Sequence, residues 1–166
     1  DVCSSDLVCP RKAISMQEDE YGYVYPVIDQ DKCVGCGLCR KVCHYQADKE
    51  LRTPIKAYAA AGKKEEFLKK AASGGMFSLV ADKILEEGGV VFGAAMEYHN
   101  NTLIPKHIAV ESKEELFKLQ GSKYVQSFIG NTYAEAKKYL ADGRKVLFSG
   151  TPCQIEGLKG YLGREY

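Results

Sequence analysis

The run CVGCGLCRKVC sets Cys33, Cys36, Cys39 and Cys43 at Cys-x2-Cys-x2-Cys-x3-Cys spacing, the spacing by which thiolates hold a 4Fe-4S cluster. Four ligands so close together commit the chain to a tight loop around an inorganic core. A structural zinc site would pair two Cys-x2-Cys knuckles across a longer gap, and a disulfide scaffold would scatter its cysteines. Gly35 and Gly37 lie between the ligands, where the absence of a side chain lets the backbone curl and turn its N–H groups toward sulfur. The chain handles electrons.

With 166 residues there is room for one ordinary domain and a small one. Lys and Arg number 23 against 22 Asp and Glu, so the charge balance carries no footprint for nucleic acid or for a strongly acidic partner. The stretch KKEEFLKK at residues 63–70 mixes both signs at helical spacing and reads as a solvated helix face. No run of 18 apolar residues and no signal peptide is legible. A cytoplasmic protein without a membrane span is expected, and seven cysteines fit a reducing compartment.

The first seven residues, DVCSSDL, are also the translation of GAC GTG TGC TCT TCC GAT CT, which matches the tail of a common sequencing-library adapter. Residues 1–7 are therefore expected to be an adapter-derived scar, unpacked, with Cys3 accidental and out of ligand register. The chain starts without methionine and stops inside what reads as a helix, so a C-terminally truncated fragment is expected.

Val8-Cys9 and Val42-Cys43 are each followed four residues later by alanine, at Ala13 and Ala47. This internal repeat is the mark of a two-cluster ferredoxin fold. In such folds the fourth cysteine of each run ligates the other cluster. Cys9, Cys33, Cys36 and Cys39 are thus expected to share one 4Fe-4S cluster, their sulfurs converging on a common void, with Cys43 outside it at an incomplete first site. His44 stands where proline usually follows and reads as a surface residue. Residues 13–16 and 23–28 read as a hairpin around the polar turn 17–22, with Pro26 confining its strand to an edge. The cluster domain spans residues 8–48, and a polar, alanine-rich connection follows over 49–72.

Beyond it, Phe77, Val80, Ala81, Ile84 and Leu85 recur at helical spacing, Gly88-Gly89 ends that helix, and residues 90–95 read as a buried strand. Ser112 to Glu115 and Thr132 to Glu135 have the form of capping boxes, each opening a helix, and residues 145–149 form a second strand. The fold class is α+β: a small ferredoxin-like 4Fe-4S domain followed by an α/β domain. His99 and His107 flank an Asn-rich stretch and read as exposed connectors.

Three glycine-bearing stretches fall at element boundaries: SGGMF at 73–77, QGSKYVQ at 120–126 and SGTPCQ at 149–154. Each is a plain turn or a place where backbone comes close to a phosphate or an electron-rich ring. None has Rossmann or Walker spacing. Cys153 opens a helix, a position that suits a reactive thiolate or cluster ligand as well as a buried structural cysteine.

CVGCGLCRKVC, SGGMFS, LQGSKYVQS and VLFSGTPCQIEGLKGYL, in this order, resemble the coenzyme F-420 hydrogenase/dehydrogenase beta-subunit family, in its bacterial form with an N-terminal two-cluster ferredoxin domain. The resemblance implies an iron–sulfur flavoprotein oxidoreductase in which clusters exchange electrons with FAD, and FAD with a deazaflavin or similar conjugated acceptor. It implies a redox partner protein or ferredoxin. It also places Ser73, Gly74, Gly75, Gly121, Ser122, Lys123, Thr151 and Cys153 near the flavin. Residues 73–148 then form the N-terminal domain of the beta subunit, and 149–166 begin the flavin domain. Two clusters and FAD belong to the full-length protein, one cluster and no tightly held flavin to this stretch. A non-catalytic ferredoxin-type electron carrier is the alternative.

Overall fold

The computed structural model describes residues 5–43, 46 and 53–163. Alternating side chains and a polar turn make residues 14–28 a hairpin: β1 (Ile14–Glu18) pairs antiparallel with β2 (Val24–Ile28), Ile14 opposite Ile28 and Met16 opposite Pro26. Asp19 organises the turn, its Oδ1 accepting the N–H groups of Tyr21 and Tyr23 at 2.9 Å each, while Gly22 supplies φ 82°. The sheet has two strands, so Pro26 sits on an edge, where its missing N–H breaks no inner ladder.

Two short helices flank the hairpin, α1 (Ser5–Val8) and α2 (Leu38–Val42), and they pack on each other. The expectation that residues 1–7 stand clear of the core fails for their described part. Leu7 is half-buried against the cluster formed by Val90, Phe92 and Leu158. An apolar side chain beside apolar surface is driven onto it by the same water that drives the rest of the core.

After α3 (Glu65–Lys69), an exposed turn stapled by Glu65 and Lys69 at 3.1 Å, the second unit begins. It comprises α4 (Met76–Glu86), β3 (Val90–His99), β4 (Thr102–Val110), α5 (Thr132–Ala141), β5 (Val146–Phe148) and α6 (Pro152–Leu162). The sheet order is β4-β3-β5, with β3 antiparallel to β4 and parallel to β5. Side chains alternate along β3. Val91 and Ala95 meet Ala81 and Leu85 of α4 on one face; Val90 and Phe92 meet Tyr133 and Ala136 of α5 and Leu158 of α6 on the other. The mixed helix and strand content is that of the expected α+β class.

Strand β4 replaces the expected exposed stretch around His107. Asn100 and Asn101 both take positive φ, 47° and 60°, as a tight hairpin of primed type requires, so the Asn pair marks a turn between strands. Of the two expected capping boxes neither forms. Residues 116–118 make one 3-10 turn, and Asn131 precedes α5 while the Thr132 hydroxyl donates backward to the Ile129 carbonyl at 2.7 Å. The box that does form is Thr151 with Gln154, at the start of α6, with Pro152 in the first helical position.

Candidate functional site

The cysteine loop runs from β2 to α2. Asp29 fixes its start: the Asp29 carbonyl accepts the Cys33 N–H at 3.0 Å, and its Oδ1 accepts the N–H groups of Asp31 and Lys32. The Lys32 ammonium beside it holds the Asp29 carboxyl below the usual range. Gly35 and Gly37 take φ 66° and 74° with open space where a Cβ would stand, so the glycines serve backbone shape rather than room. Cys33 and Cys36 are exposed, and Cys9, Cys39 and Cys43 are half-buried. The Cys9 sulfur accepts the Ala13 N–H at 3.3 Å, the kind of N–H to sulfur bond that a cluster ligand keeps. A thiolate donor set with positive-φ glycines between the ligands fits an iron–sulfur cluster.

Convergence of the sulfurs is another matter. Among the described residues no three Cys, His, Asp or Glu side chains form a group that could hold a metal ion as they stand. The loop is tied down through backbone bonds at Asp29, and packing of the protein does not by itself draw exposed Cys33 and Cys36 inward. Cys3 and His44 lie outside the described residues.

A cavity of about 460 Å³ opens beyond the carboxyl end of β5, in the size range of small-molecule and cofactor sites. All three glycine-bearing stretches reach it. Ser73 and Gly75 come from the turn into α4; Gly121, Ser122 and Lys123 from the loop after the 3-10 turn; Thr151 from the turn into α6. Two predicted residues are not on its wall. Gly74 packs backward, where a Cβ would stand 2.2 Å from the Ala60 carbonyl and where its own carbonyl accepts the Gly62 N–H at 2.7 Å. Cys153 sits half-buried in the first turn of α6 with its sulfur 3.1 Å from the Thr151 hydroxyl.

Two polar residues of the wall, His107 and Ser127, carry no sequence signal for it. His107, expected at the surface, is 4% exposed in the middle of β4, its ring stacked on Phe148 at 5.3 Å. Its Nε2 is 2.9 Å from the Ser149 carbonyl, which only accepts, so Nε2 carries the proton. Nδ1 then accepts from the Ser127 hydroxyl at 2.8 Å, whose oxygen accepts from Gln154 Nε2 at 3.2 Å; Gln154 Oε1 accepts the Thr151 N–H at 2.9 Å. Burial pushes the His107 imidazole below its usual range, opposed in part by the Ser149 bond. Lys123 also lines the cavity; its Nζ donates to the carbonyls of Gln120 at 2.7 Å and Lys118 at 3.1 Å, and burial lowers its pKa. Gly75 caps α4 with φ 73° and no side chain, which leaves first-turn N–H groups at the edge of a cavity that Lys123 also lines. That edge favours negative charge.

Residues 57–131 match the family described as Coenzyme F420 hydrogenase/dehydrogenase, beta subunit N-term, and residues 3–47 match the 4Fe-4S dicluster domain. Two family models thus match successive stretches of one chain, each over less than half of its length. No curated protein matches the chain at a significant level. The dicluster match takes in Cys9 to Cys43, and the beta-subunit match takes in the Ser73 to Lys123 walls of the cavity. The α6 wall, with Thr151 and Gln154, lies beyond both. Together the two matches support iron–sulfur electron transfer of an oxidoreductase type. None of the chain's described helices is long and apolar enough to cross a membrane.

Proposed function

We propose that the protein is an iron–sulfur flavoprotein oxidoreductase, cytoplasmic, that passes electrons between 4Fe-4S clusters and a flavin seated in the cavity, with a deazaflavin or similar conjugated molecule as the acceptor and a ferredoxin or other redox protein as partner. The observation that carries this reading is the meeting of three glycine stretches, far apart in sequence, on one cavity in a chain that also bears cluster cysteines. A flavin supplies the link between two-electron hydride chemistry and one-electron steps. The residues do the holding. Gly121, at φ 77° with nothing within 4 Å of its missing Cβ, opens the backbone to close approach, and Lys123 with the first turn of α4 favours an anionic group. Cys9, Cys33, Cys36 and Cys39 hold one cluster in the crossed arrangement, and Cys43 faces the other.

Anaerobic titration of the protein with FAD and with FMN, followed by flavin fluorescence and equilibrium dialysis, tests the cavity assignment. Saturable binding that exchanges on gel filtration is expected, weakened by Gly121→Val. Failure of both flavins to saturate, or binding indifferent to Gly121→Val, would overturn it.

A further inference from the structure

We propose that His107 is a positioning residue for the cavity: through Ser127 and Gln154 it sets the backbone of Ser149, Gly150 and Thr151, the wall on which the ligand rests. The inference rests on the flavin reading of the cavity only for the identity of that ligand. Four hydrogen bonds run head to tail, from the Thr151 N–H to Gln154 Oε1, from Gln154 Nε2 to Ser127 Oγ, from the Ser127 hydroxyl to His107 Nδ1, and from His107 Nε2 to the Ser149 carbonyl. Ser149 and Thr151 are two residues apart, so the chain of bonds closes into a ring with the cavity wall as its last link. Every member has one role that fits. The Ser149 carbonyl can only accept and the Thr151 N–H can only donate, which orients the Gln154 amide, the Ser127 hydroxyl and the imidazole in one sense around the ring.

The three side chains of the ring are buried, whereas its backbone link at Gly150 and Thr151 is exposed. His107, Ser127 and Gln154 are each at most 4% exposed, so water does not readily replace a lost link between them. No room is left over inside the ring, since a Cβ on Gly150 would stand 2.8 Å from Gln154 Oε1 and 3.4 Å from His107 Nε2. His107, Ser127, Ser149, Gly150, Thr151 and Gln154 all reach the cavity. His107 thus ties together two segments far apart in sequence, at Ser127 and at Ser149, in addition to stacking on Phe148.

The test separates packing from positioning. His107→Phe keeps a flat ring on Phe148 and removes both bonds; His107→Gln offers an N–H and a carbonyl oxygen in their place; Ser127→Ala cuts the ring one link away. Nitrogen chemical shifts should show the wild-type imidazole neutral with its proton on Nε2. Hydrogen exchange at the Thr151 amide should speed up about tenfold in His107→Phe and in Ser127→Ala and recover within about threefold in His107→Gln, as expected for one hydrogen bond lost and regained. FAD affinity, read by fluorescence titration, should fall and recover in parallel, while the charge-transfer absorbance of the reconstituted cluster does not change. Unchanged Thr151 exchange in a folded His107→Phe or Ser127→Ala protein would overturn the positioning role. A wild-type protein that binds neither FAD nor FMN, yet shows the exchange pattern, would sink the flavin reading and uphold the role of His107.

Discussion

An imidazole with little water around it must stay neutral to stay buried, and that makes His107 a reporter of folding. Its pKa in the folded chain lies below the ordinary value of about 6.5. Above that pH both folded and unfolded chains carry neutral His107; below it the unfolded chain takes up a proton that the folded one refuses. Stability should therefore decline as pH falls from about 7 to about 5 and level off once the folded pKa is passed. Urea melts across that range should show the decline, and His107→Gln should flatten it. The carboxylates held low by lysine and arginine, Asp29, Glu87 and Glu111, titrate further down, whereas burial raises the Asp6 carboxyl, whose protonation favours the fold as pH falls and so works against the decline. A second expectation concerns Gly150. Its Cβ would press on Gln154 Oε1 at 2.8 Å and Gln154 Cβ at 3.1 Å, and Gln154 is bonded in place, so Gly150→Ala should cost about 1–3 kcal/mol in chemical denaturation. Gly121→Ala meets empty space and pays only for its left-handed backbone, about 1 kcal/mol.

Among the elements, those with strong period were legible. Helix α4 and the buried start of β3 follow directly from apolar spacing, and the β1–β2 hairpin from alternating Tyr and Val around a polar turn. Strand β4 was hidden by Pro105 and by an Asn pair that reads equally as loop or tight turn. Capping boxes misled at Ser112 and Thr132 because four residues of pattern do not say which neighbours compete for the hydroxyl, and Thr132 prefers the Ile129 carbonyl. The three cavity stretches could be picked out by their glycines, but Ser127 and His107 carry no local signal; only the pairing of β4 with residue 128 brings them together. One contact between elements gives a sharp test. Gly160 of α6 lies against the end of α2, where a Cβ would stand 2.5 Å from the Val42 carbonyl. Alanine normally stabilises a helix interior by about 1 kcal/mol over glycine. Gly160→Ala should nonetheless lower the midpoint of urea unfolding, and a raised midpoint would show that α2 does not rest on α6.

For the molecule as a whole, the cysteines pose the largest question, because their spacing is unmistakable in the sequence and their grouping is not made by packing alone. The crossed arrangement gives unequal weights to two cysteines that occupy equivalent positions in the repeat. Cys9→Ala should abolish the cluster held with Cys33, Cys36 and Cys39, whereas Cys43→Ala should spare it; iron analysis and low-temperature electron paramagnetic resonance after anaerobic reconstitution read the difference, and the reverse pattern would exclude the crossing. The contact at Gly160 has a consequence for distance. Helix α6 begins at the cavity with Thr151 and Gln154 and meets the residue before Cys43 near its other end. Eleven residues of α-helix measure about 16 Å. On the proposed flavin reading, the distance from the cavity to the cysteine loop is thereby set by a rigid ruler and not by a tether, so that lengthening the exposed segment around Ile55 would leave it untouched while a single methyl group at Gly160 would stretch it.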